Sequence, residues 1–80
     1  MYRMEHFYRR LRDLRIDHDL AQWEVAKYLN TTRQQYGKYE TGERDLPANV
    51  LIRLASFYQT STDYILGITN NPKPYNDIPE

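Results

Sequence analysis

Arg33 and Gln34 are neighbouring residues whose side chains could take part in specific recognition chemistry. Arginine can donate two hydrogen bonds to the edge of guanine, and glutamine can pair in the same way with adenine, when either reaches into the major groove of DNA. Thr32, just before them, can cap a helix by accepting a hydrogen bond from the first turn. The sequence therefore predicts Arg33 and Gln34 in the first turn of a helix, where they could read base pairs.

Two short helical patterns position these residues. Asn30 can adopt the left-handed conformation that a tight break between helices needs, so the first helix is expected to end near Leu29. The second is expected to start at Thr32 and to stop at Gly42. The apolar residues at helical spacing are Val25, Ala26 and Leu29, followed by Tyr36 and Tyr39. A helix pair joined by so short a turn is a helix-turn-helix, in which the second helix enters the major groove.

The order and spacing of residues in this region resemble the phage repressor/Cro type of helix-turn-helix domain, also described as XRE-like. The resemblance covers roughly residues 6–67. The residues that carry it are Leu20, Gln22, Val25, Ala26, Leu29, Thr31, Thr32, Tyr39, Glu40, Gly42, Pro47, Leu54, Ala55 and Asp63 to Gly67. It implies an all-α, compact five-helix bundle of the lambda-repressor-like type. It also implies sequence-specific binding of double-stranded DNA by a transcriptional regulator, with a repressor of phage, mobile-element or bacterial origin as the leading interpretation.

Five helices are predicted from the apolar spacing and from the Gly, Asn and Pro breaks, at about 5–17, 22–29, 32–41, 47–58 and 62–66. Pro47 is expected at the first position of the fourth helix, and Ser61 is expected to cap the fifth. The predicted core is Leu11, Leu14, Val25, Ala26, Leu29, Tyr36, Leu51, Leu54 and Leu66. Residues 1–68 are then one domain. Residues 69–80 have three prolines and no periodicity, which predicts a flexible or extended tail that could bind a protein partner.

The resemblance also assigns roles within the predicted DNA-binding site. It places base-reading residues at the start of the third helix and one turn on, at Thr32, Arg33, Gln34 and Lys38. It places Arg44 against the phosphate backbone. Gln22 can donate to a phosphate from the start of the second helix, although it could also be an ordinary polar residue of a first turn.

Two structural roles are further implied by the resemblance. Arg15 is expected to form a partly buried ion pair with Glu40, the alternative being a free surface arginine. In relatives the end of the domain forms a symmetric dimer contact, which here would involve Ile65, Leu66 and Ile68. A homodimer on a pseudo-palindromic operator is therefore expected, with half-sites about 34 Å apart.

Gly37, Trp23 and Tyr36 are three further residues whose surroundings the sequence bears on. Gly37 is unusual inside a helix, and its missing side chain could let DNA approach closely or could be neutral. Trp23 is expected to pack against the first helix rather than to lean on a sugar. Tyr36 is expected in the core, where its hydroxyl needs a partner.

Composition sets the limits on function. The chain has 80 residues, no cysteine, and 11 basic against 11 acidic residues, so any basic patch must be local. No long apolar run or signal-peptide pattern occurs, and a cytoplasmic location is expected. Neither a metal site, a cofactor nor an enzymatic activity is expected from the available side chains. The neutral charge leaves open a protein-interaction module, such as an antitoxin or a sequestering regulator, in which DNA binding is secondary.

Overall fold

The computed structural model of the protein describes residues 8–74. Its five helices are α1 (Arg9–Asp17), α2 (Gln22–Tyr28), α3 (Arg33–Thr41), α4 (Ala48–Phe57) and α5 (Thr62–Leu66). Residues 8–74 contain no strand, which confirms the all-α, five-helix prediction. The expected start of the first helix near residue 5 lies outside the described residues. Tyr8 is not helical (φ −82°, ψ 81°) and precedes α1, so the described helix begins only at Arg9.

Four of the five helices end in the same way. The residue after the C-cap region has a positive φ: Asp19 (62°), Asn30 (62°), Gln59 (57°) and Gly67 (82°). The next residue then donates its N–H to the carbonyl five positions back, at 3.0, 2.9, 2.9 and 2.9 Å. This left-handed closure satisfies carbonyls that the helix itself leaves unpaired. The prediction of Asn30 as the corner between α2 and α3 is thereby confirmed.

The starts of α3 and α5 follow their sequence signals. Thr32 Oγ1 accepts from the backbone N–H of Gln35 at 3.1 Å, and Ser61 Oγ accepts from that of Tyr64 at 3.0 Å. Pro47, predicted as the first residue of its helix, is instead the N-cap of α4, with extended ψ of 150°. The difference is one residue, because the fixed φ of proline suits both positions.

The core is one cluster of buried side chains to which all five helices contribute. Six predicted core residues are buried, namely Leu11, Val25, Ala26, Leu29, Tyr36 and Leu54, and Leu14 and Leu51 pack against them half-buried. The prediction for Leu66 is wrong, since it is 41% exposed and its neighbour Ile65 is only 1% exposed. Adjacent residues of a helix point in different directions, so the single turn of α5 buries only one of the two.

Residues 69–74 follow α5 without helical structure and lie against the domain. Thr60 Oγ1 donates to the carbonyl of Pro72 at 2.6 Å. Two local turns add bonds from Asn71 N–H to Thr69 Oγ1 and from Lys73 N–H to Asn71 Oδ1. The chain is therefore bound to its own domain for several residues beyond α5. The remainder of the predicted tail, residues 75–80, lies outside the described part of the protein.

Candidate nucleic-acid interface

The helix α3 has one buried side and one exposed side. Tyr36, Tyr39 and Glu40 are buried, and the rings of the two tyrosines meet edge to face with their centres 6.4 Å apart. The four residues predicted to read bases, Thr32, Arg33, Gln34 and Lys38, are all exposed, and Gln35 is half-buried between the two sides. Local sequence explains this division, because the tyrosines and Glu40 recur at three- and four-residue spacing. The exposed side of α3 thus offers donors and acceptors to a partner.

Glu40 is the buried centre that connects α3 to the rest of the domain. It is 5% exposed, and its carboxylate accepts two hydrogen bonds from Arg15, from Nε at 2.6 Å and from Nη2 at 3.2 Å. The hydroxyl of Tyr36 donates to Oε2 at 2.5 Å, and Gln22 Nε2 donates to Oε1 at 3.1 Å. Arg15 Nη1 also donates to the carbonyl of Leu20 at 2.9 Å. The predicted ion pair is therefore part of a larger network that ties together α1, α2 and α3.

The network determines the protonation of its members. Burial alone would raise the pKa of Glu40, but hydrogen bonds from Arg15, Tyr36 and Gln22 outweigh it and hold that pKa below its ordinary value. The hydrogen bond to Glu40 raises the pKa of Arg15. Burial raises the pKa of Tyr36, and the hydrogen bond to Glu40 raises it further. At neutral pH the site accordingly holds an ionised carboxylate, a charged guanidinium and a neutral phenol.

Gln22 links this buried network to the exposed side of α3. Its carboxamide nitrogen donates to Glu40, while its carbonyl oxygen accepts from Arg33 Nη1 at 3.2 Å. A Cβ placed on Gly37 would lie 3.6 Å from Gln22 Oε1, so the bare backbone of Gly37 faces this amide. The space left by the missing side chain is thus next to Gln22, and a close approach of DNA to Gly37 stays a prediction.

Arg44, the predicted phosphate-contacting residue, lies beside the end of α3. It is exposed, its guanidinium donates to Gln35 Oε1, and it lies 5.8 Å from the centre of the Tyr39 ring. Trp23 is 57% exposed, and its expected packing against α1 stays a prediction. Of the residues predicted at the dimer contact, Ile65 belongs to the core, which leaves Leu66 and Ile68 at the surface.

Sequence reasoning missed the hydrogen bonds that Tyr36 and Gln22 donate to Glu40. Tyr36 and Glu40 are four residues apart, so their side chains are neighbours on a helix, and that spacing could have indicated the hydrogen bond. Gln22 carries no comparable signal, because it reaches Glu40 from a different helix. Gln35, as the partner of Arg44, was likewise not foreseen.

A short turn at residues 29–32 joins α2 and α3, and the second of these helices carries a polar exposed side. This geometry defines a helix-turn-helix unit of the DNA-binding class. A family model described as helix-turn-helix matches residues 11–65. The chain belongs to the phage repressor/Cro type of this family, whose members are DNA-binding regulators of transcription.

Several relatives come from Bacillus subtilis (strain 168). The uncharacterized HTH-type transcriptional regulator YobD is 40% identical over 65 residues, which are 81% of this chain and 58% of YobD. The prophage-derived, uncharacterized regulator YonR is 37% identical, over 75% of this chain and 56% of its own length. The HTH-type transcriptional regulator ImmR is 36% identical, over 74% and 46%.

The chain therefore spans about half the length of the curated relatives it matches. No solved structure matches it significantly. None of the helices in residues 8–74 is long and apolar enough to cross a membrane.

Proposed function

We propose that the chain is a sequence-specific DNA-binding unit of a cytoplasmic transcriptional repressor, which reads the major groove with the exposed side of α3. Arg33 and Gln34 in the first turn would contact guanine and adenine edges, and Thr32 and Lys38 would contribute on either side of them. The relative YonR is prophage-derived, which supports the assignment to repressors of this kind.

The observation that carries the proposal is the chain of hydrogen bonds from Arg33 through Gln22 to buried Glu40. An exposed arginine loses side-chain entropy when it binds a base. Because Gln22 already holds the guanidinium of Arg33, part of that ordering is complete before DNA arrives. A contact arranged in advance costs less affinity on binding, which is the property expected of a base-reading residue.

Phosphate contacts would orient the domain without reading sequence. Gln22 Nε2 carries two N–H groups, of which Glu40 takes one, so the second can donate to a phosphate oxygen. Arg44 would supply a charge at the other end of α3. Its bond to Gln35 and its position near the ring of Tyr39 hold its guanidinium beside the exposed side of α3.

Competition binding tests these roles with Arg33→Ala, Gln34→Ala and Arg44→Ala, using a duplex selected from random DNA and a scrambled duplex at several salt concentrations. Arg33→Ala and Gln34→Ala should each lose about 1–3 kcal/mol of discrimination at one base position. Arg44→Ala should weaken both duplexes alike and reduce the slope of log K against log salt by about one unit.

Arg12→Ala is the matched control, because it removes one positive charge from an exposed position of α1. The ratio of its affinities for the selected and the scrambled duplex, the specificity ratio, should equal that of the unmodified protein. An unchanged ratio in both Arg33→Ala and Gln34→Ala would show that α3 is not the reading helix.

A domain of this size contacts only a few base pairs, so two copies should bind a pseudo-palindrome as a homodimer. Leu66 and Ile68 are 41% and 70% exposed, and only Gly67 separates them in sequence. Large apolar side chains grouped in this way suit an interface with an identical copy, in which the same surface meets itself.

The second candidate is a protein-interaction module, in which a protein partner replaces DNA as the main ligand. The net charge of zero favours it, because most nucleic-acid-binding domains are basic. A salt titration separates the two candidates. A DNA-binding unit loses duplex affinity steeply as salt rises, whereas an interaction module has little duplex affinity at any salt.

A further inference from the structure

Arg10 binds the C-terminal part of the domain, where it contacts α5 and the residues that follow α5. From α1, its Nη1 donates to the carbonyl of Tyr64 at 3.1 Å and to that of Thr69 at 2.5 Å. Its Nη2 donates to Asn70 Oδ1 at 2.6 Å. The guanidinium carbon also lies 4.3 Å from the centre of the Tyr64 ring.

These contacts close a loop. Tyr64 belongs to α5 and Thr69 follows it, so one guanidinium group binds both ends of the segment 64–69. Within that segment Ile65 is anchored in the core, and the Ile68 N–H donates to the Asp63 carbonyl at 2.9 Å. The side chains that the loop leaves exposed are Leu66 and Ile68.

The chemistry of Arg10 favours orientation over charge neutralisation. Its hydrogen-bond acceptors are two backbone carbonyls and one side-chain amide, all of them uncharged. The planar guanidinium, with its several fixed N–H donors, suits binding to three acceptors in different directions while stacking on a ring. A lysine would keep the charge but would lose this geometry.

We propose that Arg10 is a positioning residue for self-association, which fixes the segment 64–69 so that Leu66 and Ile68 form a ready-made contact surface for a second copy of this chain. This inference rests on the homodimer in the proposed function. A mobile segment would have to become ordered as the dimer forms, and that entropy would be lost from the affinity. By holding both ends of the segment, Arg10 removes that cost before association.

The test compares Arg10→Ala and Arg10→Lys with Arg12→Ala, a charge-matched change at an exposed position of the same helix. Sedimentation equilibrium should give dimer dissociation constants raised roughly tenfold in both Arg10 variants, because two segments lose their ordering per dimer, and unchanged in Arg12→Ala. Hydrogen exchange at the Ile68 amide should be faster in the Arg10 variants alone.

DNA binding distinguishes positioning from general destabilisation. Affinity for a duplex with a single half-site should be unchanged in Arg10→Lys, whereas affinity for a duplex with two half-sites should fall. A variant that is merely less stable would lose both alike, which would overturn the role of Arg10.

The two proposals fail differently. Equal dimer dissociation constants in Arg10→Lys and the unmodified protein would refute the role of Arg10 and leave the homodimer standing. A monomeric unmodified protein, both free and on a two-half-site duplex, would refute the homodimer and the role of Arg10 together.

Discussion

A buried carboxylate is costly to a protein unless its charge is matched by donors. Glu40 satisfies this condition with donors from three helices: Arg15 on α1, Gln22 on α2 and Tyr36 on its own helix α3. The carboxylate is therefore a junction whose partners fix how α1 and α2 sit on α3.

Removing one partner should show how strongly the junction depends on charge balance. Arg15→Met leaves the buried carboxylate without its counter-ion, and we expect it to lower the free energy of unfolding by about 3 kcal/mol. Glu40→Gln should also destabilise, while the double variant should recover at least about 1 kcal/mol relative to the sum of the two. Urea denaturation of all four proteins measures this coupling.

Arg12→Met is the control for that cycle, because Arg12 is exposed on α1. Combined with Glu40→Gln, it should give additive losses within about 0.5 kcal/mol. Additive losses for Arg15→Met and Glu40→Gln as well would mean that the two groups act independently.

The lowered pKa of Glu40 also predicts a pH dependence. Because its folded-state pKa lies below the unfolded value of about 4.3, the carboxylate stabilises the fold above that value. This stabilisation is lost as the pH falls through the folded-state pKa. The free energy of unfolding should therefore decline below about pH 5 in the unmodified protein. Urea denaturation between pH 7 and pH 3 should show a shallower decline for Glu40→Gln, and an equal decline would contradict the assignment.

At this scale the sequence indicates single contacts better than networks. The pairing of Arg15 with Glu40 was implied by a resemblance between whole domains. The contribution of Gln22 depends on how α2 lies across α3, and no local spacing encodes that arrangement.

At the scale of secondary structure, local side chains determine where helices begin and end. Thr32 and Ser61 provide caps, and Asn30 and Gly67 provide left-handed ends. The start of α2 is incomplete. Glu24 accepts from the backbone N–H of Ala21 at 2.8 Å, but the methyl group of Ala21 cannot accept a hydrogen bond in return.

Ala21→Ser should complete this capping box. The serine hydroxyl would accept from a backbone N–H in the first turn of α2, which now has no side-chain partner, and should stabilise the protein by about 1 kcal/mol. Thermal unfolding measures the gain, and Ala21→Gly, which adds no acceptor, is the comparison. If serine gives no more stability than glycine, the hydroxyl does not form the cap.

The errors at this scale have tertiary causes. Leu66 and Ile65 are equally apolar, and only the packing of α5 on α1 and α4 decides which one enters the core.

For the whole molecule, a homodimer joined through Leu66 and Ile68 would set a fixed distance between its two α3 helices. Such an arrangement requires operator half-sites on the same face of DNA, one helical turn apart. The half-site spacing that such a dimer prefers is therefore set by the protein, and DNA-binding measurements alone can determine it.

Changing that spacing tests the arrangement. Inserting five base pairs between the half-sites turns them to opposite faces of the duplex, and affinity should fall to that of one half-site. Inserting a full turn restores the facing but stretches the distance, so it should recover less affinity than the original spacing provides. Electrophoretic mobility shifts with the three duplexes give the comparison, and equal affinity for all three would indicate independent monomers.

The hydrogen-bond chain from Arg33 to Glu40 also bears on how such regulators diverge. Within the described residues, the side chains of Gln34 and Lys38 form no hydrogen bond or ion pair, whereas Arg33 is tied to the core through Gln22. If α3 reads the operator as proposed, substitutions at Gln34 and Lys38 in a lineage of duplicated genes should alter operator preference at little cost to stability. Changes at Arg33 disturb a partner of the buried carboxylate. Among related regulators, positions 34 and 38 should therefore differ more readily than position 33, and Arg33 should change together with Gln22.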